Sequence, residues 1–234
     1  MLSIRGLTAG YGHGAVLQGV DVQVAPGEIV AVLGRNGSGR STLAKAVMGL
    51  VDWRGDMRWN GLSMHGLRTF EIARLGIGYV PETRDVFGGL TVRQNLMLGV
   101  QPAPHANAGT PWTLQDIYRL FAPLQVRQYV DAAVLSGGEQ QMLALGRCLM
   151  GAPRLMLVDE PTEGLAPALV QQVAQCLRTL RERGVAVMLM EQKMAIALSL
   201  ADRLVVMGQG RIVFDGSPAH LRERSDLVQE WLQI

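Results

Sequence analysis

The sequence predicts an α/β fold built on a buried parallel sheet, and three observations carry that reading. A short apolar run, residues 29–33, leads into Gly34-Arg35-Asn36-Gly37-Ser38-Gly39-Arg40-Ser41, and a helix-like run, residues 42–50, leaves it. That is strand, glycine-rich loop, helix. Residues 155–158 and 185–190 are unbroken apolar runs of strand length, as strands buried on both faces should be. Val20, Val22 and Val24 instead alternate with polar neighbours, the mark of a one-sided antiparallel strand.

Composition sets the frame. The 234 residues suffice for one large α/β domain or a core with a subdomain. With 48% hydrophobic and 18% charged residues the chain is globular in character. A net charge of +2 is too balanced to argue for a nucleic-acid partner. Cys148 and Cys176 fall in helical patterns without metal-ligand spacing and are expected to be core thiols of a reduced compartment. The opening residues lack a signal peptide's apolar stretch, and no apolar run nears the ~18 residues that span a bilayer. The expectation is a soluble, cytoplasmic chain that can dock on a membrane protein.

Taken in order, residues 3–7, 16–24 and 29–33 read as strands, with Pro26-Gly27 a turn and Tyr11 in a glycine-flanked loop. After the first helix, Arg58-Trp59-Asn60-Gly61 suggests a hairpin, and residues 77–80 form a strand that stops at Pro81. Strand signals then vanish. Residues 92–100 and 114–124 read as helices, with a Pro-, Ala- and Gly-rich surface loop over 101–111 between them. Residues 84–150 are thus expected to be a helical insert beside the sheet, with 1–83 and 151–234 forming the core. The remainder predicts a helix over 167–183, a hairpin through Gly208 and Gly210, and a helix over 221–232.

Four constellations carry chemistry. The glycine-rich loop follows the phosphate-binding pattern, with Arg40 where a lysine belongs. Its glycines let backbone N–H groups turn toward an anion, and the following helix presents its positive end there. Ser41 is placed to offer a hydroxyl to a phosphate-bound Mg²⁺. Glu82, just past the strand over 77–80, lies where ligands sit in open α/β sheets and is a candidate to meet that metal. Ser136 and Glu139 form a capping-box pattern that starts a helix, and Ser136-Gly137-Gly138 would offer free backbone N–H groups there as a second anion site. Asp159 and Glu160 close a buried strand, where unpaired carboxylates are costly. Asp159 would support Mg²⁺ and Glu160 would polarise an attacking water.

Together these motifs resemble the ATP-binding subunits of ABC transporters, across nearly the whole chain and in the right order. Leu135-Ser136-Gly137-Gly138-Glu139-Gln140-Gln141 looks like that family's signature motif. Val80-Pro81-Glu82, the run from Asp159 to Pro167, and Glu191-Gln192 look like the branched-chain amino-acid importer group, with urea and short-amide importers close by. The resemblance implies a P-loop NTPase (RecA-like) core with an antiparallel β subdomain and an α-helical insert, of the ABC ATPase type. It implies that Tyr11 stacks on adenine, that Gly34 to Ser41 with Thr42 hold the phosphates of ATP, and that Glu82 and Gln192 replace the usual Q-loop glutamine and switch histidine. It implies a head-to-tail pair of chains, identical or not, with Ser136 to Glu139 of one facing the phosphate loop of the other. It further implies permease subunits contacted by the helical insert, a solute-binding protein as an indirect partner, and a peripheral location on the cytoplasmic face of the inner membrane.

Arg40 departs from the whole family. Arginine keeps the charge but is planar and forked where lysine is a compact point charge. The expectation is weak or slow hydrolysis at this chain's own loop, while its intact signature motif completes another chain's site; the alternative is that Arg40 is tolerated with modest loss. Two competing readings stand beside the importer ATPase. A soluble ATPase of the same fold in DNA repair or translation usually carries a long coiled coil or two ATPase halves, and this chain shows neither. A non-hydrolysing nucleotide-binding partner is favoured by Arg40 and opposed by Glu160.

Overall fold

The computed structural model describes residues 1–12, 14–101 and 111–232. In chain order the strands are β1 (Leu2–Tyr11), β2 (Gly14–Val24), β3 (Ile29–Leu33), β4 (Asp52–Trp59), β5 (Leu62–Ser63), β6 (Ile77–Val80), β7 (Leu155–Asp159), β8 (Ala186–Glu191), β9 (Arg203–Gly208) and β10 (Arg211–Gly216). The helices are α1 (Arg40–Val47), α2 (Thr69–Arg74), α3 (Val92–Leu98), α4 (Leu114–Leu120), α5 (Ala122–Val126), α6 (Gly137–Met150), α7 (Pro167–Glu182), α8 (Met194–Leu200), α9 (Pro218–Glu223) and α10 (Ser225–Trp231). A six-stranded sheet runs in the order β10-β9-β3-β8-β7-β6 and a four-stranded one in the order β2-β1-β4-β5. In the larger sheet, β9, β3, β8, β7 and β6 are parallel and β10 is antiparallel to β9. The smaller sheet is antiparallel throughout.

The period of two along each central strand divides the core. Ile29, Ala31 and Leu33 of β3, Met156 and Val158 of β7, and Val187 and Leu189 of β8 face one side, where helices α3 to α8 pack. Val30 and Val32, Leu155 and Leu157, and Met188 and Met190 face the other, against α1 and the antiparallel sheet. The parallel strands are therefore apolar on both faces, as their unbroken runs imply. In β2, Val20, Val22 and Val24 are buried and the residues between them exposed, as the alternation implies.

Several local expectations shift. Tyr11 ends β1 instead of lying in a loop. The first helix starts at Arg40 and stops before Gly49, whose φ of +65° leaves the helical region. The hairpin at Asn60 and Gly61 forms, with φ of 49° and 83°, the left-handed pair that a tight hairpin turn needs. The single helix expected over 114–124 is two helices. Phe121 adopts φ −133° and ψ 71°, and Pro123, at the start of α5, has no N–H to continue the first helix. Arg224, at φ −101° and ψ 66°, likewise splits the terminal helix into α9 and α10. Helices α2 and α8 have no counterpart in the sequence reading. The former buries only Ile72 and the latter continues an apolar stretch, so neither shows a clear period. Of the loop over 101–111, residues 102–110 lie outside the described residues. Both cysteines are free, and desolvation pushes each thiol up to about 12, which makes them inert core groups.

Candidate nucleotide site

The carboxyl ends of β3, β6, β7 and β8 deliver the candidate residues to one edge of the sheet, where open parallel sheets bind ligands. An open cleft of about 530 Å³ lies there. It is lined by the loop from Asn36 to Thr42, by Glu82, Glu160 and Gln192, and by Val16 and Glu163, which sequence reasoning did not single out.

The loop is held from behind. Ser38 N–H donates to the carbonyl of Arg35 at 3.0 Å, and the carbonyl of Ser38 accepts from Gly210 N–H at 3.0 Å. Gly210 has φ +77°, and a Cβ there would lie 1.8 Å from the carbonyl oxygen of Val16, so only glycine brings the β9–β10 turn against the loop. Gly34 is buried where a Cβ would meet Ser38 Oγ at 2.4 Å and the Met207 carbonyl at 2.6 Å. Gly34 thus shapes the loop from behind and does not line the cleft. Arg35 does not line this cleft but a second one, with Glu230 and Trp231. Gly39 caps α1 at φ +107° and aims the helix N-terminus at the cleft.

Arg40 is 4% exposed. Its Nη2 donates to Glu160 Oε1 at 2.5 Å and to Asn36 Oδ1 at 3.2 Å, while buried Nη1 has no partner among the described residues. Buried Ser38 Oγ is likewise unpartnered. Both orphaned groups can donate to an anion, so a phosphate group fits this loop. Glu160 adopts φ +44°, a left-handed conformation that is strained for a residue with a side chain. Burial raises its carboxyl above the ordinary value, and Arg40 pulls it back. Asp159 is 2% exposed. It accepts from Ser41 Oγ at 3.1 Å, and Tyr79 OH lies 3.5 Å from its other oxygen. Burial raises the Asp159 carboxyl against the pull of Ser41 and Arg40. A carboxylate so desolvated beside a hydroxyl suits a divalent cation. Among the described residues no group of three His, Cys, Asp or Glu could hold a metal ion.

Two expected groups stand apart from the cleft. Tyr11 is 52% exposed, with Lys45 Nζ 5.9 Å from its ring centroid. Ser136 to Glu139 do not line the cleft. The capping box forms: Ser136 Oγ accepts from Glu139 N–H at 3.3 Å, and Glu139 Oε2 accepts from Ser136 N–H at 2.8 Å. The Ser136 N–H is therefore not free for an anion, which corrects the sequence reading. Those of Gly137 and Gly138 lack intrahelical acceptors. Gly138 also has a packing reason, since a Cβ would lie 2.1 Å from Leu169 Cδ1. Arg84, with φ +66°, brings its guanidinium against Gly137.

A family model described as ABC transporter matches residues 17–163, most of the chain and every motif from the loop to Glu160. The chain belongs to the ABC transporter family. It is 41% identical over 222 residues to the high-affinity branched-chain amino acid transport ATP-binding protein BraG of Pseudomonas aeruginosa, covering 94% of both chains. It is 32% identical to the probable branched-chain amino acid transport ATP-binding protein LivF of Archaeoglobus fulgidus, covering 95% of this chain and 94% of that one. A crystal structure of a nucleotide-free ATP-binding cassette from an ABC transporter superposes with a TM-score of 0.82 at 24% identity, covering 98% of this chain and 97% of that one. This ABC cassette therefore has the P-loop ATPase fold that its motifs imply, and it is an ATP-binding domain with ATPase chemistry. No described helix is long and apolar enough to cross a membrane.

Proposed function

We propose that this cassette is the ATP-hydrolysing subunit of an importer for branched-chain amino acids or related small polar solutes, working at the cytoplasmic face of the inner membrane. The observation that carries the solute class is the 41% identity to BraG over 94% of each chain. The chemistry rests on the cleft. Glu82, Glu160 and Glu163 line it with one buried guanidinium, so a triphosphate needs a divalent cation; Ser41 and Asp159 would hold Mg²⁺, which would supply the counter-charge. When bound, Mg²⁺ would neutralise charge developing on the phosphates. Glu160 orients the attacking water, and Gln192 faces the same space. Tyr11 offers an exposed aromatic face for the base.

The cleft is open and lacks Ser136 to Glu139, which supports a site completed by a second chain's signature motif. Residues 84–150 act as the helical unit that meets the permease subunits. A groove of about 310 Å³ lined by Leu50, Thr69, Gly99 and Arg147, with exposed Phe70, Met97 and Leu98 nearby, is the surface we assign to that contact. A solute-binding protein delivers the solute to the permease, and nucleic acid has no part in the cycle.

Uptake assays in a strain lacking this chain test the solute. Loss of labelled leucine uptake, with urea and acetamide uptake intact and leucine uptake restored by the native chain, is the expected outcome. Normal leucine uptake with loss of urea or acetamide uptake would move the assignment to the amide group.

A further inference from the structure

Beside the cleft lies a buried carboxylate that the hydrolytic chemistry above does not use. Glu191, the last residue of β8, is 2% exposed and does not line the cleft. Its Oε1 accepts from Thr162 Oγ1 at 2.5 Å, and its Oε2 accepts from the backbone N–H groups of Gln192 and Lys193, both at 3.1 Å. Thr162 is itself 1% exposed. Among the described residues no cation pairs with Glu191; hydrogen-bond donors alone satisfy it. Two further contacts run in parallel. Glu160 N–H donates to the Met190 carbonyl at 2.9 Å, and Lys193 Nζ donates to the Thr162 carbonyl at 3.3 Å.

The segment after β7 and the segment after β8 are thus fastened together at their roots. One contributes Glu160 and Glu163 to the cleft, and the other contributes Gln192. An apolar residue would satisfy strand packing at position 191. A buried carboxylate stays there only if its lone pairs are used, and here they are divided between the two segments.

We propose that Glu191 is a positioning residue for ATP hydrolysis, a bracket that holds Gln192 in register with the Glu160–Glu163 turn so that both segments move as one body. The inference rests on reading the cleft as the nucleotide site. The bracket works through hydrogen-bond geometry. Glu191→Gln can preserve it by donating its amide N–H to Thr162 Oγ1 and accepting from both backbone N–H groups through its carbonyl. Thr162→Val removes one arm at nearly constant volume, and Thr162→Ser keeps it.

The test compares the full-length native chain with Thr162→Val, Thr162→Ser and Glu191→Gln by amide hydrogen exchange, MgATP affinity and single-turnover hydrolysis. In Thr162→Val the amides of Gln192 and Lys193 exchange about tenfold or more faster, while those of Leu189 and Met190 in β8 are unchanged. Single-turnover rate falls roughly 5- to 20-fold with the Kd for MgATP within about twofold, because positioning errors act on the reaction and not on the phosphate loop. Thr162→Ser and Glu191→Gln recover most of both losses. Unchanged Gln192 and Lys193 exchange, a uniform rise across β8, or a rate loss matched by an equal loss of affinity would overturn the bracket. The exchange arm needs no nucleotide. A chain that failed to bind MgATP would therefore overturn the nucleotide reading, while the bracket still stood or fell on those amides.

Discussion

Replacing Arg40 by lysine should speed this cassette. Arg40 reaches across the loop to Glu160 at 2.5 Å and to Asn36 at 3.2 Å, with Arg40 4% and Glu160 12% exposed. In the proposed site Arg40 faces phosphate and Glu160 faces water, so the ion pair competes with that arrangement. Phosphate compensates Arg40 for its lost partner, and the uncompensated part is one charge-assisted hydrogen bond to Glu160, worth roughly 1.5–3 kcal/mol. Both bonds come from Nη2 at the far end of the guanidinium, and lysine's shorter stem does not carry its compact ammonium that far. If the penalty falls on the transition state, Arg40→Lys raises kcat by about 10- to 100-fold, or ~1.4–2.7 kcal/mol. The assay is single-turnover hydrolysis of MgATP by native, Arg40→Lys and Arg40→Lys/Glu160→Gln chains, with the last as the zero. A kcat for Arg40→Lys equal to or below the native value, with the double variant inactive, would refute the reasoning and leave Arg40 as a tolerated substitute.

Three further outcomes follow from the same geometry. Tyr11→Ala should weaken MgATP binding by roughly 5- to 100-fold, the range of one lost stacking contact, and Tyr11→Phe should not; equilibrium titration reads both. Asp159→Asn should stabilise the nucleotide-free chain increasingly as pH rises. The folded carboxyl is raised by burial, so the native chain is unburdened below the ordinary carboxylate value and loses stability as pH climbs through the raised one. The melting-temperature gap between variant and native chain should therefore widen from pH 4 to pH 8, and a gap constant with pH would contradict the shift. Ser136→Ala should lower stability by about 0.5–2 kcal/mol through loss of the helix cap, measurable by urea unfolding.

What the sequence revealed depended on how local the physics was. The parallel strands were legible because burial on both faces leaves an unbroken apolar run, as at residues 155–158. The capping box at Ser136 was legible because its two hydrogen bonds join residues three apart. The break at Phe121 is signalled by Pro123, yet the apolar period runs through it and hides it. Helices α2 and α8 are too short to show a period. In the site, the loop, Glu82, Glu160 and Gln192 are brought together as their places at strand ends imply. Three things could not be read from spacing. Gly210 supports the loop from 172 positions beyond Ser38, through a contact that only folding creates. The left-handed backbone of Glu160 has no glycine to announce it. The pairing of Arg40 with Glu160 spans 120 positions, and it turns an unusual residue into a competitor for the reacting groups.

ATP hydrolysis in a site shared between two chains, as proposed above, can be tested by mixing two variants. Glu160→Gln removes the residue proposed to orient water, and Ser136→Arg obstructs the proposed partner motif; each variant alone should be inactive. Mixed in equal amounts, one site of the mixed pair has the loop and Glu160 of the Ser136→Arg chain facing the intact signature of the Glu160→Gln chain. Activity should return in the mixture, to roughly a quarter of the native rate for random pairing and independent sites. Two inactive proteins that remain inactive when mixed, although each still binds MgATP and pairs, would contradict it.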